Sequence, residues 1–373
     1  MVAVDTRKSA DRWLAEDSLE ELAQLAYTAG AVVVGKLTQR LQVPTKTYYI
    51  GKGKLTKLAS IKSSTGYNMV IIDDELTPLQ QHNLEEFLKV KVIDRVALIL
   101  DIFARRARTR EGQLQVELAQ HEYLYPRLAG RWAHLERLGA GIGTRGPGET
   151  QLETDRRLIR QRIHRLKIQI EQIRKHRQLY LYKRQKTGIP VVSIVGYTNA
   201  GKSTLLNALS QADVLVEDKL FATLDPTTRR LTLPGRTAVL LTDTVGFIRK
   251  LPPTIITAFR ATLEELAEAS LLLHVVDLYS RNAAEQNQVV EQILNDLGLQ
   301  DKPRITALNK IDLLLPGDRF WGEEEAIRYL SDRRETLDKN TVLISAGRKW
   351  GLDQLLQLIS QNLSPMFHQS NPL

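Results

Sequence analysis

The feature that most constrains the fold is a glycine-rich turn between an apolar segment and a helical one. The apolar segment is residues 191–195 (VVSIV), the turn is residues 196–203 (GYTNAGKS), and the helical pattern TLLNALS follows. Glycines at the first and sixth positions let the backbone wrap around an anion, and the N-terminus of the following helix carries partial positive charge. This order predicts an α/β domain with a phosphate-binding loop after its first strand.

Three further motifs follow apolar segments and complete the set expected of a guanine-nucleotide site. In D-T-V-G, after residues 237–242, Asp243 can hold a metal ion through water and the Gly246 amide can approach a γ-phosphate. In N-K-I-D, after residues 304–308, the Asp312 carboxylate can accept hydrogen bonds from N1–H and the exocyclic amine of guanine. Adenine lacks this donor pair, and an unpaired buried polar group costs about 1–3 kcal/mol, so the motif selects GTP over ATP. Ser345 and Ala346 follow the last segment and are placed for a backbone contact to the guanine O6.

Magnesium and the phosphates account for the remaining roles. Lys202 is expected to reach the β- and γ-phosphates, and Ser203 to bind Mg²⁺. The effector segment 221–228 (FATLDPTT) supplies a threonine that completes the magnesium shell. The spacing favours Thr223 but leaves Thr227 and Thr228 as alternatives.

The residues expected to contact GTP lie in the phosphate loop, the effector segment and the three later motifs. They are Gly196, Tyr197, Thr198, Asn199, Ala200, Gly201, Lys202, Ser203, Thr204, Phe221, Ala222, Thr223, Leu224, Asp225, Asp243, Thr244, Val245, Gly246, Asn309, Lys310, Ile311, Asp312, Ser345, Ala346 and Gly347. Of these, Lys202, Thr223 and Gly246 are the predicted catalytic residues.

Two residues depart from the pattern of Ras-like enzymes. Phe247 stands where those enzymes place the glutamine that orients the attacking water, so intrinsic hydrolysis should be slow, and we expect a partner to complete the site. Asn199 resembles the asparagine that coordinates K⁺ in cation-dependent GTPases. The alternative, an asparagine that stabilises a local turn, has equal weight.

Upstream of the loop, the pattern predicts a small parallel βαβ domain and then a helical hairpin. Strands are predicted at residues 31–37, 68–74 and 91–94, with helical segments at 19–30, 52–64 and 77–88. The fold class is therefore α/β, with this N-terminal domain at 1–94, a long antiparallel helical hairpin at 95–187, a C-terminal Ras-like P-loop GTPase domain at 188–365 and a short tail at 366–373. Residues 317–340 are predicted to form a charged surface insertion.

The hairpin is predicted from a coiled-coil pattern and a glycine-rich tip at residues 139–148. Apolar residues in the second arm recur at heptad-like spacing, at Leu152, Ile159, Ile163, Leu166, Ile170, Ile173 and Tyr180. The first arm contains Gly112 and Pro126, and since proline kinks or ends a helix, we expect that arm to be bent or segmented.

The second arm also carries the charge excess of the chain. Residues 151–186 hold twelve basic and three acidic residues, and twelve minus three is +9, equal to the net charge of all 373 residues. Too few acids are interspersed to pair these charges within the helix. A solvated coiled-coil face is the alternative, but a polyanion-binding surface, such as one for RNA, is the favoured interpretation, with Arg156, Arg157, Arg160 and Lys167 as candidate contacts.

Composition excludes several other classes of function. The chain has no cysteine, which rules out disulfides, thiolate zinc sites and cysteine nucleophiles. No apolar run reaches the length of a membrane span, and the N-terminal residues lack the apolar core of a secretory signal. We therefore expect a cytoplasmic protein, and we expect a monomer.

With these motifs in place, the sequence resembles the HflX family of ribosome-associated GTPases. The segments that carry the resemblance are 49–54 (YIGKGK), 91–95 (KVIDR), 98–103 (LILDIF), 111–120 (EGQLQVELAQ), 141–153 (GIGTRGPGETQLE) and 221–225 (FATLD). The last segment places the family's magnesium threonine at Thr223.

The resemblance implies binding to the large ribosomal subunit and its rRNA, ribosome-stimulated GTP hydrolysis, and dissociation of stalled or idle ribosomes, particularly under stress. It also implies that the hairpin tip approaches rRNA, with Arg145, Gly146 and Gly148 as contacts. The chain ends 27 residues after Ala346, so we expect the separate C-terminal domain of longer relatives to be absent. Two alternatives remain: an RNA-binding assembly or maturation factor gated by GTP that does not split ribosomes, and an ATP-driven RNA remodeller, which the N-K-I-D motif disfavours.

Overall fold

A computed structural model describes residues 1–6, 13–136, 147–186, 188–210, 220–252, 255, 266–317, 319–332 and 338–369. The chain divides into two compact units, Met1–Ile173 with Pro252–Ala258 and Arg174–Leu251 with Phe259–Leu373. The boundary falls within one long helix.

The first unit begins with a four-stranded parallel sheet. Its strands are β1 (Val2–Thr6), β2 (Leu37–Leu41), β3 (Met69–Ile72) and β4 (Lys91–Asp94), in the order β2-β1-β3-β4. The helices between them are α1 (Ala15–Thr28), α2 (Lys52–Ser60), α3 (Lys62–Thr65) and α4 (Pro78–Leu88). Val70, Ile72 and Val92 point into the core formed with Leu84 and Leu88 of α4. The predicted α/β character and helical segments are confirmed.

The first predicted strand was wrong in its position. Residues 31–36 form no strand, and Val32 is 88% exposed, whereas β2 begins only at Leu37. Strand β1 was not predicted, although its first three residues, Val2, Ala3 and Val4, are buried. A run of β-branched residues fits a strand by propensity, but burial against neighbouring strands decides where one forms.

A buried charged residue joins this sheet to the helical region that follows. Arg95 is 1% exposed and forms ion pairs with Asp73, at 2.8 Å, and with Glu21. Next to it, the Asp94 side chain accepts a hydrogen bond from the Ala97 amide at 2.9 Å, so it caps the following helix. Asp94 also accepts from Arg127 at 3.0 Å, a contact that anchors the first arm of the hairpin.

The first arm consists of two helices, α5 (Arg95–Arg106) and α6 (Arg110–Glu136), and the second arm is α7 (Pro147–Lys186). The first arm is segmented as expected, but the break falls between the two helices, and α6 runs through both Gly112 and Pro126. Helix α7 already includes Pro147 and Gly148, the end of the predicted tip. The rest of the tip, at 139–146, lies outside the described residues.

The predicted seam joins the two long helices. Leu166 of α7 is fully buried against Leu114 and Leu118 of α6, with Ile163, Ile170 and Ile173 packed around them. Ten residues separate the helices, and a chain of that length extends at most about 35 Å. If α7 ran parallel to α6 with the same seam contacts, the end of α6 and the start of α7 would lie about 55 Å apart, which this connection cannot span. The arms are therefore antiparallel.

The second unit contains a six-stranded sheet. Its strands are β5 (Val191–Gly196), β6 (Thr227–Thr232), β7 (Ala238–Asp243), β8 (Leu271–Asp277), β9 (Arg304–Asn309) and β10 (Thr341–Leu343), in the order β10-β9-β8-β5-β7-β6. All neighbours are parallel except β6 and β7. The helices are α8 (Lys202–Ser210), α9 (Ala283–Asp296), α10 (Glu323–Ser331) and α11 (Leu352–Gln369), with a 3₁₀ helix at Ile311–Leu314.

This sheet confirms the predicted P-loop architecture and adds one strand. The chain leaves β5 toward β7 on one side and later returns to β8 on the other, so the end of β5 is a switch point where ligands bind. The antiparallel strand β6 was not predicted, because its sequence, TTRRLT, has little apolar pattern. Among the described residues, no helix is both long and apolar enough to cross a membrane.

Candidate functional site

The loop after β5 has a backbone that only glycine can adopt at its two ends. Gly196 has φ +151°, and a Cβ there would lie 2.3 Å from the Val275 carbonyl oxygen of β8. Gly201 has φ +92°, and a Cβ there would lie 2.3 Å from Nδ2 of Asn309. The loop is therefore wedged against the neighbouring strand on one side and against the N-K-I-D motif on the other.

Lys202, at the start of α8, is folded into the loop. Its Nζ donates to the carbonyl oxygens of Tyr197, at 2.8 Å, and Gly196, at 3.2 Å. Burial lowers the pKa of Lys202 to about 8, an effect that Asp243 opposes. Because a bound phosphate favours the charged amine, an anion in this loop would raise that pKa again.

Three oxygen-bearing side chains meet beside Lys202. Ser203 Oγ donates to Asp243 Oδ2 at 2.6 Å and lies 2.7 Å from Thr223 Oγ1. Burial raises the pKa of Asp243, and Lys202 and the hydroxyl donors oppose the shift. The other carboxylate oxygen, Asp243 Oδ1, is buried and has no hydrogen-bond partner among the described residues.

The structure separates the three candidate threonines. Thr223 is brought next to Ser203, whereas Thr227 and Thr228 are the first residues of β6. Thr228 Oγ1 lies 3.0 Å from Thr242 Oγ1 across the strand pair. The two alternative threonines, Thr227 and Thr228, therefore pair with β7 in the sheet.

The D-T-V-G segment lies directly on the phosphate loop. Phe247 N donates to Gly196 O at 3.0 Å, and Thr198 N donates to Phe247 O at 2.7 Å. The Phe247 side chain is 2% exposed. A Cβ at Gly246 would lie 2.8 Å from Lys202 Nζ and 2.8 Å from Thr198 Cα, so only glycine allows this approach.

On the opposite side of the loop, Asn309 connects two other motifs. It is 2% exposed; its Nδ2 donates to Ala200 O at 2.8 Å, and its Oδ1 accepts from Ala346 N at 2.9 Å. Asp312 follows in the 3₁₀ helix, and its carboxylate forms no hydrogen bond with the other described residues. Asn309 therefore acts as a brace, and Asp312 remains available for a ligand.

Asp277, near this brace, was not predicted from the sequence, whereas its partner Lys310 was. Lys310 adopts left-handed backbone with φ +65° and donates from Nζ to Asp277 Oδ2 at 2.8 Å. Asp277 ends β8 in the same way that Asp243 ends β7 and Asn309 ends β9. A polar residue at this strand end was the signal that could have identified it.

The remaining predicted residues lie along the same edge. Tyr197 OH accepts from the Arg249 amide at 2.9 Å, and Ser345 Oγ accepts from the Arg348 amide at 3.0 Å. Asn199 has φ +61° and Phe221 has φ +56°. Asparagine tolerates this left-handed region better than most residues, which gives Asn199 a structural reason to be there. The others in the loop, effector and strand-end segments are Thr204, Ala222, Leu224, Asp225, Thr244, Val245, Ile311 and Gly347.

The candidate RNA contacts are distributed differently. Arg160 donates to the Tyr125 hydroxyl at 2.6 Å, and Lys167 pairs with Glu122 at 2.8 Å, so both bind α6. Arg156 is half-buried and Arg157 exposed on α7. Of the other three predicted contacts, Arg145 and Gly146 lie outside the described residues, and Gly148 is the second residue of α7.

Comparison with known proteins decides the family. Family models described as "GTP-binding GTPase N-terminal", "GTP-binding GTPase Middle Region" and "50S ribosome-binding GTPase" match residues 16–104, 106–184 and 191–310. GTPase HflX of Caldanaerobacter subterraneus is 54% identical over 348 residues, which cover 93% of this chain and 77% of that protein. The chain belongs to the HflX family.

Members of the HflX family are GTPases, hydrolases acting on GTP, and the predicted activity is confirmed. GTPase HflX of Escherichia coli is 44% identical over 93% of this chain and 79% of its own length. Among solved structures, a complex of SsGBP with GDP is 28% identical over 98% of both chains, with a TM-score of 0.49.

Proposed function

We propose that this HflX-family GTPase binds the large ribosomal subunit, is stimulated by it, and uses GTP hydrolysis to dissociate stalled or idle ribosomes, particularly under stress. Family membership and the name of the family model over residues 191–310 support this proposal. We further propose that the protein acts in the cytoplasm, where its ribosomal partner would be found, and that it acts as a monomer. The predicted domain boundaries at 94, 187 and 365 stay predictions.

The observation that carries the proposal is the outward face of α7. The apolar seam of α7 is used against α6, and Arg162 and Lys167 pair with Glu117 and Glu122 of that helix. Arg157 and Arg165 are exposed, and within the described part of the chain neither has an ion pair. Exposed arginines that form no ion pair with the described residues can bind a phosphate backbone, which contributes most of the affinity in RNA binding.

Stimulation by the partner follows from Phe247. Its side chain is buried and apolar, so it cannot hold the attacking water as a glutamine amide would. We propose that intrinsic hydrolysis is slow and that the ribosome completes or orders the site.

The cluster beside Lys202 fits Mg²⁺. Magnesium prefers hydroxyl, carboxylate and water oxygens. The buried Asp243 Oδ1 has no partner within the described part of the chain, so it could accept a hydrogen bond from a metal-bound water. Ser203 and Thr223 would hold the ion directly and Asp243 through water. The bound ion would neutralise charge on the β- and γ-phosphate oxygens. Among the described residues, no cluster of three or more histidines and carboxylates offers another metal site.

Two further contacts complete the proposed site. The carboxylate of Asp312 would select guanine, and the Ala346 amide, which donates to Asn309, would contact the guanine O6 through the same backbone segment. Asn199 would add a K⁺ ligand, a proposal that equal turnover in potassium and sodium would refute.

Sedimentation tests the function directly. Intact ribosomes are centrifuged through a sucrose gradient with the protein and GTP, and with a GTP analogue that is not hydrolysed. The proposal predicts that free subunits appear and that the protein migrates with the large one. Comigration with no increase in free subunits would favour an assembly or maturation factor, and no comigration would refute ribosome binding.

A further inference from the structure

The Thr198 side chain lies buried inside the phosphate loop. Thr198 is 5% exposed, and its Oγ1 is buried with no hydrogen-bond partner among the described residues. A buried hydroxyl without a partner destabilises a fold, and valine has the same shape without that cost. The hydroxyl is therefore better explained by the reaction than by the loop.

Thr198 lies where the γ-phosphate contacts converge. A Cβ on Gly246 would lie 2.8 Å from Thr198 Cα, 2.9 Å from Thr198 Cγ2 and 2.8 Å from Lys202 Nζ. Gly246 and Lys202 are the two residues that approach the γ-phosphate in this class of site. The Thr198 amide also donates to Phe247 O at 2.7 Å, so this residue stays next to the D-T-V-G segment.

The neighbouring polar side chains are already engaged. Thr244 Oγ1 donates to Ile194 O at 2.6 Å, and the Tyr197 hydroxyl accepts from Arg249. Ser203 is hydrogen-bonded to Asp243. Thr198, which approaches Gly246 through its Cα and its methyl carbon, thus carries a hydroxyl that has no partner among the described residues and can both donate and accept.

We propose that Thr198 is a catalytic residue whose hydroxyl orients the attacking water in GTP hydrolysis, in place of the missing glutamine. The hydroxyl accepts a hydrogen bond from the water, which directs a water lone pair at the γ-phosphorus. As the new P–O bond forms, the bond from the γ-phosphorus to the β–γ bridging oxygen breaks and its electron pair leaves with GDP. The water proton passes to the phosphate product. The inference rests on the proposed function only for its GTP hydrolysis, and not for the ribosome.

Three variants test this role. Thr198→Val removes the hydroxyl and keeps the shape, and Thr198→Ser keeps the hydroxyl. Ser193→Ala is the matched control, because Ser193 Oγ in β5 is also buried without a partner among the described residues but lies outside the loop. Each is measured for single-turnover hydrolysis of γ-labelled GTP with protein in excess, for GDP affinity and for Tm.

The proposal predicts a loss of about 100-fold in the hydrolysis rate for Thr198→Val, comparable to loss of one preorganised hydrogen bond at a reacting group. GDP affinity and Tm should not fall. Thr198→Ser should restore most of the rate, and Ser193→Ala should leave it unchanged. A wild-type rate in Thr198→Val would overturn the proposal, and so would parallel losses of rate, GDP affinity and Tm, since these indicate a structural role.

These rates are measured without ribosomes, which separates the inference from the proposed function. If ribosomes fail to stimulate the wild-type protein, the ribosomal part of the proposal fails. The comparison of Thr198→Val with wild type in basal turnover is unaffected by that result.

Discussion

Replacing Asn309 with alanine tests how the guanine side of the site is held together. The asparagine amide satisfies two buried backbone groups, the Ala200 carbonyl at 2.8 Å and the Ala346 amide at 2.9 Å. Asn309→Ala leaves both groups without partners in a region closed to water. At about 1–3 kcal/mol for each unpaired group, the GTPase unit should lose about 2–6 kcal/mol of unfolding free energy.

Urea denaturation gives the free energy of unfolding, and titration with a fluorescent GDP analogue gives the affinity. Nucleotide affinity should fall as well, because the brace positions both the phosphate loop and the Ala346 amide. The control is Asn295→Ala on the exposed face of α9, which should change stability by less than about 0.5 kcal/mol. A loss below about 1 kcal/mol with GDP affinity retained would refute the bracing role.

Four further outcomes are expected. Asp312→Asn should weaken GDP binding while leaving the unfolding free energy nearly unchanged, because the Asp312 carboxylate makes no hydrogen bond within the described part of the chain. Retained GDP affinity in a titration would contradict its role at guanine. Gly246→Ala places a methyl group 2.8 Å from Lys202 Nζ and should weaken a GTP analogue more than GDP, whereas equal weakening of the two would argue against the γ-phosphate contact. Burial lowers the pKa of Lys202 from 10.5 to about 8, and a bound phosphate would raise it again, so nucleotide affinity should fall as pH rises from about 8 toward 10.5. Calorimetry at pH 8.5 in buffers of different ionisation enthalpy should therefore show proton uptake on binding. Binding without proton uptake would contradict this prediction. Arg157→Gln with Arg165→Gln should reduce the slope of log affinity for the ribosome against log salt concentration by about two, without changing GDP affinity. An unchanged slope would indicate that this face of α7 contacts solvent and not RNA.

The clustering of the candidate site residues could be predicted because their motifs coincide with strand ends. The ends of β5, β7 and β9 place Gly196, Asp243 and Asn309 at one edge of the sheet, as parallel strands require. The spacing within the effector segment could not identify the threonine beside Ser203, because the choice depends on where β6 begins. Only the structure shows Thr227 and Thr228 paired in that strand.

The errors in the first unit have a different cause. The run Ala-Val-Val-Val at residues 31–34 has strong strand propensity, but these residues belong to no strand of the sheet. Residues 2–6 pair with β2 over their whole length, a contact between segments about 35 positions apart. Local propensity cannot detect such pairing, and the same limit applies to the Lys310–Asp277 contact between two strand ends.

The central claim is that the GTP site depends on the ribosome for activation, and GTP turnover with and without purified large subunits tests it most directly. We expect slow turnover by the protein alone and acceleration by at least about tenfold on adding the large subunit. A group supplied in trans can accelerate GTP hydrolysis by far more than this. The double variant Arg157→Gln with Arg165→Gln should need more subunit to reach the same rate. Rapid turnover without ribosomes, or turnover that the large subunit does not change, would contradict the account.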